Sequence, residues 1–147
     1  MSVNKYDTDF YAWASENAEL LKQKKFSDID VENIAEEIEA LGKRDKRELR
    51  SRMTLLLMHL LKWEFQPGLR SSSWEQAIKV QRKSIAKIIE DSGSLKKLAI
   101  HELDDLYEDA IEEVVDETGL ESSIFPRACD YDFSKVLDSK FWPGEPR

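Results

Sequence analysis

Leu55-Leu56-Leu57-Met58-His59-Leu60-Leu61-Lys62-Trp63-Glu64-Phe65, then Gln66-Pro67-Gly68-Leu69-Arg70 and Ser71-Ser72-Ser73-Trp74, is the stretch on which the fold turns. It is the most apolar window of the chain and holds one of the two histidines and two of the four tryptophans. Pro67 has no amide hydrogen to continue a helix, and Gly68 supplies a turn. Upstream, apolar residues keep one helical phase: Ile34, Ile38, Leu41, Leu49, Met53, Leu56 and Leu60. Asp30 is placed to cap that helix, with Ile29 and Ile34 at the staple positions. Asp45 interrupts the apolar face, and Gly42 costs about 1 kcal/mol relative to alanine. The phase on the two sides of Gly42 still matches, and Lys43-Arg44-Asp45-Lys46 offers no second glycine or proline for a hairpin. The spacing predicts one helix from Asp30 to about Phe65, with a kink or break at Gly42 as the alternative.

Other helices arrange themselves around this one. Asp7 is the expected cap of a first helix that carries Phe10, Trp13, Asn17 and Leu21 on one side and ends near Lys22 to Lys25, with Tyr6 and Tyr11 as its staple. Ser72-Ser73-Trp74-Glu75 reads as a capping box with Ser72 at the cap. It opens a helix bearing Trp74, Ile78, Ile85, Ile88 and Ile89. That helix is expected to stop at Ser92-Gly93, with Gly93 left-handed. Ser94 then caps a last helix, antiparallel to the one before it, that buries Leu95, Leu98, Leu103, Leu106, Ala110, Ile111 and Val114 up to Gly119. The tail, residues 120–147, is irregular: Pro126 breaks it, Asp132 to Leu137 make one or two helical turns, and Phe141-Trp142-Pro143 docks on the bundle. No window alternates as a strand does. The expectation is an all-α fold, one domain over residues 1–147, with four main helices around the long central one.

Composition narrows the function. The net charge of −8 argues against a wholly nucleic-acid-binding or anionic-membrane-binding surface. The run Leu55–Leu61 is far short of the roughly 20 apolar residues that span a bilayer. Cys129 is the single cysteine, so no internal disulfide forms, in keeping with a reducing cytoplasm. The first residues lack the apolar core of a signal peptide. A soluble cytoplasmic protein is expected.

Candidate chemistry is sparse. His59 sits beside Leu55, Lys62 and Trp63 on a helix. It is a histidine at the core edge, bonded to a carbonyl or carboxylate, or a proton-transfer group or ligand contact in a cleft beside Trp74, or a metal ligand. Di-iron bundles need Glu-x-x-His pairs, but Leu56 and Leu98 stand three residues before His59 and His101. No zinc, phosphate-loop, dinucleotide or nucleophile-elbow motif occurs, so neither metal nor cofactor is expected. Glu36 and Glu37, with Glu32 and Glu39 nearby, form an acid–base pair only if burial separates their pKa values; otherwise they are a solvated face. Cys129 has no local base to activate it.

Charge is segregated along the chain. Lys43, Arg44, Lys46, Arg47, Arg50 and Arg52 crowd one segment, and ten acidic residues fall between Glu102 and Glu121 without a lysine or arginine. Either the basic segment tracks phosphates and the acidic one docks a basic partner, or the two solubilise their helices or face each other. No aromatics interleave the basic residues.

The motifs then converge on a family. Tyr6-Asp7-x-Asp9-Phe10-Tyr11-x-Trp13 opens the chain; Asp30, Asn33, Glu36, Glu37 and Gly42 follow. Met58-His59-Leu60-Leu61-Lys62-Trp63 runs into Gln66-Pro67, Arg70 and Ser73-Trp74, and later come Arg82, Tyr107, Glu117-Thr118-Gly119-Leu120, Pro126 and Cys129. Across nearly its whole length the chain resembles the bacterial family labelled domain of unknown function 29, common in photosynthetic bacteria. Gly93 and Asp130 depart from it, since members often place proline at both positions. The resemblance implies an all-helical, non-enzymatic domain and assigns no activity. Its polar positions Glu36, Glu37, His59, Lys62, Arg70, Arg82 and Tyr107, taken with Trp74, form either a satisfied polar network or a ligand cleft. The expected function is a non-catalytic protein-interaction or regulatory module with a protein partner or a second copy. The acidic last helix, Arg44, Arg47, Arg50, Phe141 and Trp142 are its candidate surfaces. Nucleic-acid binding through residues 43–52 and a small-ligand or enzymatic cleft around His59 and Trp74 are the alternatives.

Overall fold

The computed structural model describes residues 5–144. They form seven α-helices: α1 (Lys5–Thr8), α2 (Phe10–Lys22), α3 (Val31–Phe65), α4 (Ser72–Asp91), α5 (Gly93–His101), α6 (Leu103–Thr118) and α7 (Phe133–Leu137). Short 3-10 turns lie at Pro67–Leu69 and Ser122–Ile124, and there is no strand among the described residues. The fold is all-α, with α3 its longest element. The chain divides into two compact units, the first ending at Arg44 and the second beginning at Asp45, and α3 is unbroken at Gly42.

In the N-terminal unit, Asp9 rather than Asp7 caps α2: its Oδ1 accepts the Ala12 amide at 3.2 Å. The residues before it close their own turn, with Asp9 N donating to Lys5 O at 2.7 Å. The aromatic lock at this end is also Tyr6 with Phe10 and Trp13, at centroid distances of 5.8 and 4.8 Å, while Tyr11 points into solvent. Asp30 caps α3 as expected, accepting the Asn33 amide at 3.3 Å. Its Oδ2 also takes the Trp13 indole Nε1–H at 2.9 Å and the Asn33 amide group at 2.8 Å. Asn17 completes the knot, receiving the Asp30 N–H at 2.8 Å and donating to Trp13 O at 2.9 Å. These bonds set the join of α2 and α3.

The expected burial of α3 is complete only from Leu49 onward, Ile34 being half-buried. Ile38 is 64% exposed and Leu41 54% exposed. A helical period says which residues share a face, not whether anything covers it.

The C-terminal unit holds the main core. Leu49, Met53, Leu56, Leu57, Leu60 and Leu61 of α3 are enclosed with Ile78 and Ile85 of α4, Ala99 of α5, and Leu106, Ala110 and Val114 of α6. Each such leucine contributes about 2 kcal/mol over its exposed state.

Several boundaries shift by one or two residues. Ser71, not Ser72, caps α4, its Oγ accepting the Trp74 amide at 3.2 Å. Glu75 therefore falls one place past the box and pairs with Lys79 at 3.3 Å. Ser92 ends α4 and caps α5 through the Leu95 amide at 3.3 Å, so Gly93 is the first residue of α5 and Ser94 is inside it. The predicted last helix is two helices, interrupted at Glu102. Gly119 does close α6 in the left-handed conformation, at φ 75°.

Beyond α6 the tail packs inward. Phe125 is buried against Phe65 with centroids 5.1 Å apart. Asp132 caps α7 through the Lys135 amide at 2.9 Å, and Val136 is fully buried. Phe141 and Trp142 are half-buried against the core. No helix is long and apolar enough to cross a membrane.

Candidate functional site

The predicted polar residues divide between the units. Glu36 and Glu37 belong to the N-terminal unit; His59, Lys62, Arg70, Trp74, Arg82 and Tyr107 belong to the C-terminal unit. Glu36 is exposed, and Glu37 receives the Tyr6 hydroxyl. That bond and its partner's charge push the Tyr6 pKa up to about 12. His59 is half-buried, with Nδ1 2.8 Å from Leu55 O one turn earlier. A backbone carbonyl is therefore a partner of the ring.

Lys62 lies inside the apolar run yet satisfies its charge. Its Nζ donates to Glu117 Oε1 at 2.9 Å and stands 5.1 Å from the centroid of Trp74. The aliphatic stem stays among leucines while the ammonium meets a carboxylate and an aromatic face.

The two arginines hold the tail. Arg70 donates from Nε to Trp63 O at 2.8 Å and from Nη2 to Pro143 O at 3.5 Å, with its guanidinium 4.9 Å from the Trp63 ring. Arg82 donates from Nε to Val136 O at 2.8 Å and from Nη2 to Phe141 O at 2.8 Å. Trp142 closes this arrangement, 4.7 Å from Trp63 and 5.5 Å from the Arg82 guanidinium. Burial lowers the Arg82 pKa, with the Asp138 charge opposing it.

The tyrosines tie down the rest of the tail. Tyr107 donates to Pro126 O at 2.7 Å, and Tyr131 donates to Glu64. Burial raises the Tyr107 hydroxyl to about 12 and raises Tyr131 as well, so both are neutral donors at pH 7. Burial likewise pushes the Cys129 thiol to about 11, where it is not a thiolate nucleophile at neutral pH.

Lys62, Arg70, Arg82 and Tyr107 are thus bonded within the fold. Glu117, Glu64 and Tyr131 complete the set and were absent from the predicted site. Lys62 inside a leucine run was a signal that some acid must meet it. A hollow of about 240 Å³ is lined by Trp63, Arg70, Ser71, Ser72 and Glu75; neither His59 nor Trp74 lines it. No cluster of three or more potential metal-binding side chains occurs among the described residues.

Among the described residues, the charged segments meet at Arg50. Arg50 pairs with Glu102 at 2.9 Å and Asp109 at 3.6 Å, and Arg52 pairs with Glu48 at 3.1 Å and donates to Gln81 at 3.2 Å. Arg44 and Arg47 are exposed. Phe141 and Trp142, expected at an interaction surface, spend much of their area on the core.

Comparison with curated proteins and with solved structures returns no match. A family model does match, over residues 5–142, and its description is a domain of unknown function, DUF29. With that match covering most of its length, the chain belongs to the DUF29 family.

Proposed function

We propose that the chain is a non-catalytic protein-interaction module of the bacterial cytoplasm, and that its N-terminal unit carries the docking face. The observation behind this is the uncovered apolar surface of that unit: Phe10, Tyr11, Phe26, Val31, Ile38 and Leu41 are all exposed. On α3, Val31, Ile38 and Leu41 follow one another at seven and three residues, the spacing at which a helix presents anchors to an apolar groove. The partner that fits is a protein with such a groove. The occupied state of Lys62, Arg70 and Tyr107 supports a non-enzymatic reading, as does the protonated Cys129.

The test is recovery of a tagged chain from native lysate beside an Ile38→Glu/Leu41→Glu variant of unchanged helicity. The expected result is a partner retained by the parent, lost from the variant, and cross-linked to α3. Recovery of the parent alone, or of the same partner by both, overturns the proposal.

A further inference from the structure

The C-terminal unit has a second hollow, of about 380 Å³, between α4 and the C-terminal end of α7. It is lined by Lys79, Arg82, Lys83, Ala86, Leu137 and Ser139. Its volume lies in the range of small-molecule sites, roughly 300–1,000 Å³. Its charge is opposite to that of the chain, which carries −8 overall.

Three observations say what it would take. Lys79 and Lys83 are one helical turn apart on the exposed side of α4. Lys79 shares Glu75 at 3.3 Å, whereas Lys83 has no ion-pair partner among the described residues. Beneath them Arg82 is only 5% exposed, and its bonds go to neutral backbone carbonyls. Its Nη1, closed from solvent, meets no acceptor among the described residues. A guanidinium has five N–H donors, and a buried one left short of acceptors is costly. Asp138 is the acidic group near enough to act on it, and the two form no ion pair. Arg82 thus lines the hollow with a positive charge that has no bonded counter-ion among the described residues. Ala86 and Leu137 add apolar wall, and Ser139 adds a hydroxyl.

We propose that this hollow binds a small organic anion, a phosphate monoester or a carboxylate, with its oxyanion head held by Lys79 and Lys83 and its apolar body against Ala86 and Leu137. Charge-assisted bonds from two ammonium groups supply the affinity, and the apolar wall selects an organic anion over a bare one.

Titration of the whole chain with butyl phosphate, hexanoate and inorganic phosphate, read by calorimetry and by the Arg82 side-chain nitrogen resonances, tests it. Saturable binding of butyl phosphate or hexanoate that shifts the Arg82 resonances is expected; whichever binds tighter identifies the head group. Lys83→Gln should weaken it about tenfold or more, while Lys97→Gln, the same charge change on α5, leaves it unaltered. Failure of both organic probes to saturate by roughly 10 mM overturns the proposal. So does equal weakening by the two lysine variants, which is diffuse attraction to a charged surface. Inorganic phosphate binding as tightly as butyl phosphate overturns the organic ligand.

Discussion

Lys62 and Glu117 are 55 residues apart in sequence and 2.9 Å apart in space, with Lys62 5% exposed and the Glu117 side chain reaching solvent. The pair joins the apolar end of α3 to the last turn of α6. Its two halves are energetically unequal. Glu117→Ala leaves a buried ammonium without its acceptor and should cost about 1–3 kcal/mol. Lys62→Met keeps the stem and removes the charge, and should cost less than about 1 kcal/mol. Urea unfolding of both variants checks the order; a larger loss for Lys62→Met would show that the ammonium is stabilising in its own right.

Arg82 bonds the tail carbonyls of Val136 and Phe141 at 2.8 Å, with a longer third bond to Lys135 O at 3.5 Å. Arg82→Met should free the tail while leaving the α3 core formed. The expected loss is about 3 kcal/mol, from two charge-assisted bonds. Tryptic cleavage at Lys135 and Lys140 should quicken in the variant well before global unfolding.

The Asp30 carboxyl is held below its ordinary pKa of 3.8 by the Asn33 and Trp13 hydrogen bonds. A lowered folded-state pKa means the contribution is fully present above pH 3.8 and is lost as pH falls through the folded value. The Trp13 indole N–H resonance should therefore hold its position down to about pH 4 and move below it. Asp30→Asn should abolish that acid transition; a transition of unchanged midpoint would assign it to another group.

The raised Cys129 pKa predicts slow alkylation. Iodoacetamide should modify the native chain much more slowly at pH 8 than the urea-unfolded chain. The native rate should climb as pH approaches about 11. Equal rates in the two states would mean an open, ordinary thiol.

Gly42 lies inside α3 with nothing within 4 Å of where a Cβ would be. Gly42→Ala should raise helix stability by roughly 0.5–1 kcal/mol. Amide exchange across residues 38–46 should slow; no change would mean those turns gain nothing from propensity.

Much of this architecture was legible in the residues. Asp30, Pro67-Gly68 and Gly119 delimit their helices because each has few competitors nearby. The misplaced caps, Asp7 for Asp9, Ser72 for Ser71 and Ser94 for Ser92, share one cause. Where several capping side chains stand together, the residue that takes non-helical backbone decides, and that is fixed by packing. The interruption at Glu102 carries no glycine or proline, only a carboxylate that meets Arg50. The polar residues of the candidate site stood out in the sequence one by one, and the structure divides them between the two units. Their partners were not, because Arg70, Arg82, Tyr107 and His59 all meet main-chain oxygens, which leave no mark in a sequence.

Those main-chain partners have a consequence for how the family can vary. A carboxylate partner ties an arginine to one residue type, whereas every residue offers the same carbonyl. Arg70 and Arg82 hold the route of the tail through Val136, Phe141 and Pro143 while leaving the side chains at those positions to be chosen by packing alone. Relatives can therefore drift in the letters of this segment and keep its shape. The arginines, which lie some fifty to seventy residues upstream, are the positions where a change would be felt in the tail.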